Sequence, residues 1–156
     1  MGRGGAAMGR HNVCKSFLVV LEMVSQVMPI LPLSASGQAV LVVEDERTSR
    51  RAMSALLSHC GYRPQAFESA EAAIRAVVSG SHPRFALVDL DLPGMNGLDL
   101  ISALEKLDPA IYPILITATD HDILARRLND RRITYLRKPV NFDTLLDLME
   151  EQQHRH

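Results

Sequence analysis

The sequence predicts an α/β protein: a doubly wound, five-stranded parallel sheet over residues 38–156, preceded by an extension of residues 1–37. Three observations carry that prediction. From Ala39 onward, short apolar runs alternate with amphipathic helical patterns, the rhythm of βαβ units. The runs Ala39–Val43 and Phe85–Val88 are continuously apolar, as strands covered on both faces must be. At 156 residues, with 47% hydrophobic and 22% charged, the chain supports one ordinary core and is too short for two comfortable domains.

Each element has its own signal. Ala39–Val43 is the first strand, and the helix after it carries Ala52, Met53, Leu56, Leu57 and Cys60 as an inner stripe, with Gly61 as its C-terminal residue. Tyr62–Phe67 is the second strand. Ser69 caps the second helix and Glu71 lies in its first turn, where a negative charge suits the helix dipole. Its inner face is Ala73, Ile74, Val77 and Val78, and Gly80 follows its end. Arg84–Val88 is the third strand. The third helix runs from about Gly97 to Leu107 on a stripe of Leu98, Ile101, Leu104 and Leu107, and ends before Pro109. Tyr112–Ile116 is the fourth strand. The fourth helix, about His121 to Asn129, has the thinnest anchoring, with Ile123, Leu124 and Leu128 set among charged residues. It is either an ordinary solvated helix or, being held by few contacts, the element that moves. Ile133–Leu136 is the fifth strand, and Asn141 caps a last helix facing inward through Leu145, Leu146, Leu148 and Met149.

The extension is different in character. Gly and Arg dominate Met1 to Arg10, and Phe17 to Leu33 is apolar apart from Glu22, Ser25 and Gln26, with Pro29 and Pro32 interrupting it. Those interruptions make a poor membrane span or export signal, although a membrane or export role stays open. An amphipathic helix from about Lys15 to Met28, docking on the domain or on a second copy of the chain, is the better structural reading; an unstructured extension is the other. Seventeen Lys and Arg against 18 Asp and Glu leave a net charge of −1, so no direct nucleic-acid binding is expected. Cys14 and Cys60 lack zinc or redox spacing and read as reduced thiols of a cytoplasmic protein.

The polar residues at the strand ends carry the chemistry. Glu44 and Asp45 close the first strand and Asp89 the third, so parallel neighbouring strands bring three carboxylates to the edge where open α/β sheets hold ligands. Such a cluster repels itself unless a cation binds, and oxygen-only ligands suit a hard cation such as Mg²⁺. Thr117 ends the fourth strand and Lys138 follows the fifth. A carboxylate nucleophile, a metal, a hydroxyl donor and a positive charge are the parts phosphoryl transfer uses, and a carboxylate needs no general base. Taken singly, each residue has a plainer reading: a helix cap, a surface hydroxyl or Lys-Pro punctuation. Their joint placement after four of five strands is what points to function.

On these residues the chain resembles the receiver domain of two-component response regulators, the CheY-like, flavodoxin-like fold. The resemblance covers about Ala39 to Met149. It rests on Leu41-Val42-Val43-Glu44-Asp45-Glu46, on Leu87-Val88-Asp89-Leu90-Asp91-Leu92-Pro93-Gly94-Met95-Asn96-Gly97, on Ile114-Leu115-Ile116-Thr117-Ala118 and on Tyr135-Leu136-Arg137-Lys138-Pro139. It implies strand order 2-1-3-4-5 and Asp89 as phosphoacceptor. By the same resemblance Asp45 and Asp89 bind Mg²⁺ directly, Glu44 helps through water, and the backbone carbonyl of Asp91 is a further ligand. Thr117 and Lys138 would contact the phosphoryl group, Tyr135 would be the switch aromatic that rotates inward with Thr117, and Lys138-Pro139 would be cis. For Tyr135 the alternative is an edge-strand aromatic that simply packs. The implied donor is a sensor histidine kinase or a histidine phosphotransfer protein. The implied output face is made by the fourth helix, fifth strand and fifth helix, read by a downstream protein, since only a short tail with His154 and His156 follows.

Two features depart from the family pattern. Asp130-Arg131-Arg132-Ile133 makes the loop before Tyr135 more basic than usual, and Asp91 adds a carboxylate near the phosphoryl site, where it would repel or orient the hydrolytic water. Two rivals accompany the receiver reading. Asp89-Leu90-Asp91 also suits a haloacid-dehalogenase-like phosphatase, which needs further metal-binding acids on a strand after the lysine, whereas here the acid pair precedes Asp89. A phosphorylation-independent adaptor is the other. The expectation is a switch that catalyses only its own phosphorylation and dephosphorylation.

Overall fold

The computed structural model describes residues 37–128 and 132–154. Five strands, β1 (Ala39–Val43), β2 (Arg63–Phe67), β3 (Phe85–Asp89), β4 (Tyr112–Thr117) and β5 (Thr134–Arg137), form one parallel sheet in the order β2-β1-β3-β4-β5. The helices between and after them are α1 (Arg47–His59), α2 (Ala70–Val78), α3 (Gly97–Leu107), α4 (His121–Leu128) and α5 (Phe142–Gln153). Side-chain alternation sorts the strands into two layers. Leu41, Val43, Ala86, Val88 and Leu115 pack with Ala73, Leu100, Leu104 and Leu124 from α2, α3 and α4. Val40, Val42, Phe85, Leu87 and Ile114 pack with Leu57, Leu145 and Met149 from α1 and α5.

The caps follow the sequence closely. Ser69 Oγ accepts from the Ala72 N–H, and Asn141 Oδ1 from the Thr144 N–H. Glu46 caps α1 by accepting from the Thr48 and Ser49 N–H groups at 2.8 and 2.6 Å. Those N–H groups hold its carboxyl down at about 2.

Several expectations need correction. The second, third and fifth strands start one residue later than predicted, and β3 and β4 each extend one residue beyond the apolar run, so that Asp89 and Thr117 end them as strand residues. Parallel ladders explain this, because Asp89 pairs with Ile116 and Thr117 with Arg137. Of the first helix's predicted stripe only Leu57 is fully buried, and Ala52 and Leu56 are exposed. These two line an open cavity of about 310 Å³ with Met53, Val140 and Phe142, so their face points the predicted way but nothing among the described residues fills the space above it. Val78 and Leu107 are exposed because each is the last residue of its helix, beyond the turn that meets the sheet. Asn129, Asp130 and Arg131, like the helix expected over Lys15 to Met28 and Cys14, lie outside the described residues. Leu124 is the one fully buried residue of α4, in keeping with the thin anchoring expected of it. Among the described residues no helix is long and apolar enough to cross a membrane.

Candidate functional site

Register builds the site. Val42 pairs with Leu87 and Val43 with Val88, so one further step along β1 sets Glu44 beside Asp89. Both have the parity of the layer under α1 and α5, and both are buried, Glu44 to 7% exposure and Asp89 to 5%. Asp45 turns out of the strand and is exposed. One carboxylate oxygen from each of the three lies within 4.8 Å of the others. From the far side of β4, the chain leaving β5 is tied in by the Lys138 N–H, which donates to the Thr117 carbonyl at 2.9 Å. Lys138 Nζ then donates to Glu44 Oε2 at 2.9 Å and to Asp89 Oδ2 at 2.6 Å. The following Lys138-Pro139 bond is cis, as the resemblance implied.

The electrostatics follow from this geometry. Burial pushes the Glu44 carboxyl above its usual range; the Lys138 hydrogen bond opposes the shift and the neighbouring Asp89 adds to it. Partial burial works against the Lys138 ammonium, but its bonds to Asp89 and Glu44 outweigh that, and its pKa is raised. Three acidic groups whose oxygens converge this closely, all hard donors, fit a small divalent cation.

Thr117 is fully buried and its Oγ1 accepts from the Thr119 N–H at 2.9 Å, which fixes the hydroxyl at the end of β4. Tyr135 is half-buried against the α2–α4 layer, its ring 6.4 Å from that of His121 and tilted by 55°. The Asp91 N–H donates to Asp89 Oδ1 at 3.1 Å, while the Asp91 carboxylate faces outward to Arg127 Nη1 of α4 at 3.4 Å. The predicted residues of the site therefore stand at one rim of the sheet, with Tyr135 one strand further on.

Sequence reasoning placed Gly97 at the start of a helix and at the end of a resembling segment, but gave it no role in the site. Its N–H donates to the Leu90 carbonyl at 3.0 Å, and a Cβ there would meet the Asp89 carbonyl oxygen at 2.2 Å and the Leu90 Cα at 2.9 Å. The first turn of α3 thus rests on the backbone of the central carboxylate. Gly97→Ala is expected to cost about 3 kcal/mol, because the clash is with backbone and not with a flexible side-chain end. A lowered urea midpoint measures it; an unchanged midpoint contradicts the close packing.

Comparison with known proteins agrees with this geometry. A family model described as the response regulator receiver domain matches residues 40–150. The chain is 31% identical over 107 residues, 68% of its length and 28% of the other's, to a cyclic di-GMP phosphodiesterase of Thermotoga maritima. It spans less than a third of the length of the curated relatives it matches. A CheY-like receiver domain from Methanospirillum hungatei superposes with a TM-score of 0.68 at 26% identity, covering 77% of this chain and 96% of that one. The response regulator TrrA of Thermotoga maritima, solved in complex with Mg²⁺-BeF, gives 0.62 at 28% identity over 73% of this chain and 97% of its own.

Proposed function

This chain belongs to the response regulator receiver family, and we propose that it is a phosphoacceptor switch that takes a phosphoryl group onto Asp89 from the phosphohistidine of a sensor histidine kinase or histidine phosphotransfer protein. The observation that carries this reading is the convergence of Glu44, Asp45 and Asp89 with an ammonium 2.6 Å from Asp89. In the transfer, a carboxylate oxygen of Asp89 forms the new bond to phosphorus as the P–N bond to the imidazole breaks, and the nitrogen keeps that electron pair. Glu44, Asp45 and Asp89, with the Asp91 carbonyl, would hold Mg²⁺, which when bound supplies positive charge against the phosphoryl oxygens. Lys138 offers a second positive charge and Thr117 a hydroxyl donor.

The signal in this reading leaves through α4, β5 and α5. Thr117 drawn toward the phosphoryl group frees space for Tyr135, and α4, with Leu124 its one fully buried residue, shifts at low cost. The site of action is the cytoplasm, and the reader of the face is a downstream protein.

Incubating the full chain with acetyl phosphate and Mg²⁺ tests the reading. The expected product carries one phosphoryl group by intact mass, loses it as phosphate to hydroxylamine and does not form in EDTA. No labile phosphorylated species would favour the adaptor instead. A pull-down with and without beryllofluoride, repeated on a chain starting at Gly37, separates phosphorylation-dependent output from any part played by the extension. Asp91 in this reading modulates the lifetime of the aspartyl phosphate. Asp91→Asn is expected to change autodephosphorylation about three- to fivefold, a barrier change of about 1 kcal/mol or less; equal decay rates remove the idea.

A further inference from the structure

Arg50 is the one cation besides Lys138 that reaches the acidic turn among the described ion pairs and hydrogen bonds, and it does so through backbone rather than carboxylates. It lies seven residues before Leu57, two turns along the same face of α1, so its side chain is directed at the sheet and is mostly covered, 16% exposed. Nη1 donates to the Glu44 carbonyl at 2.7 Å and to the Asp45 carbonyl at 3.0 Å. Its Nη2 is 3.8 Å from Glu68, whose side chain is 78% exposed, a contact that adds little in water. The Glu44 N–H, in turn, donates to the Phe67 carbonyl at 3.1 Å.

Those two carbonyls belong to the peptide planes on either side of the Asp45 Cα. Holding both planes sets the φ and ψ of Asp45, and with them the direction of its Cβ. Asp45 has particular need of this. Lys138 bonds to Glu44 and Asp89, while Asp45 is exposed and receives no such tie. A rigid, always-charged guanidinium suits the task, since its donors stay in fixed directions.

We infer that Arg50 is a positioning residue of the cation site: by clamping the Glu44 and Asp45 carbonyls it aims the Asp45 carboxylate into the cluster. This rests on reading Glu44, Asp45 and Asp89 as a divalent-cation site. Charge and positioning predict opposite signs. Removing a positive charge near the cluster, if charge alone mattered, would tighten cation binding; losing the clamp loosens it.

The full chain and its Arg50→Met and Arg50→Lys variants are titrated with Mn²⁺, free Mn²⁺ being followed by electron paramagnetic resonance and folding by far-ultraviolet circular dichroism. Binding is expected about 10-fold weaker for Arg50→Met, the usual scale for a residue that orients a ligand. Arg50→Lys, which keeps a donor on a shorter arm, should lose about threefold. If Arg50→Met does not fold, Arg50→Lys decides alone. A folded variant of either kind that binds Mn²⁺ as tightly as the parent, or more tightly, overturns the positioning role. A parent that binds no Mn²⁺ overturns the cation reading itself, and the role of Arg50 with it.

Discussion

An Asp89→Asn protein is expected to fold as the parent does and to take up no phosphoryl group from acetyl phosphate and Mg²⁺, a loss of at least about 10³-fold in rate. The amide preserves the size and the position at the end of β3, so the register with Ile116 and the layers beneath it are unaffected. What disappears is the nucleophile, because an amide oxygen does not form a stable bond to phosphorus in its place. The substitution also removes one of three charges from the cluster, so Mn²⁺ binding should weaken by about 10-fold. Residual labelling at the parent's rate would move the acceptor elsewhere, and mapping the label to Glu44 or Asp91 would name it.

The strand ends were legible in the chain because a parallel sheet puts every C-terminal end at one rim, and because a charged or hydroxyl residue closing an apolar strand is easy to see. Glu44, Asp45, Asp89, Thr117 and Lys138 emerged that way, and the structure brings them to one rim. Helix periodicity was a weaker guide. It reported which way Ala52 and Leu56 face but not that they line an open cavity among the described residues, since period tells direction and not what packs there. The packing role of Gly97 was invisible for a related reason: it depends on how closely α3 approaches the Asp89 backbone, a distance no spacing encodes. Arg50 did have a signal in its seven-residue offset from Leu57, but a basic residue in a helix's first turn ordinarily reads as solvated surface. The division of labour among the carboxylates was not legible either. Nothing in the pair Glu44-Asp45 says that Lys138 takes Glu44 and leaves Asp45 to solvent.

That division leads to the other large expected effect, Lys138→Met. Glu44 and Asp89 are nearly enclosed, and the ammonium that bridges them is their countercharge among the described ion pairs. Methionine keeps the packing of the stem but leaves two buried acidic groups facing each other. Breaking a fully buried pair costs about 3–5 kcal/mol, and since the lysine is partly exposed the expected loss here is about 2 kcal/mol. Urea unfolding in EDTA reads it as a lowered midpoint at unchanged m value. Mg²⁺ should then restore stability more in the variant than in the parent, because in the parent the single charge of Lys138, shared between Glu44 and Asp89, already offsets part of the repulsion in the cluster, and a cation that binds only the folded state stabilises it according to its affinity. The same variant should transfer phosphoryl groups poorly even at saturating Mg²⁺, because one of the two positive charges at Asp89 is gone. Equal midpoints in EDTA would mean the ammonium contributes nothing to holding the cluster, and equal Mg²⁺ increments in the two proteins would mean the cation binds away from the carboxylates that Lys138 bridges.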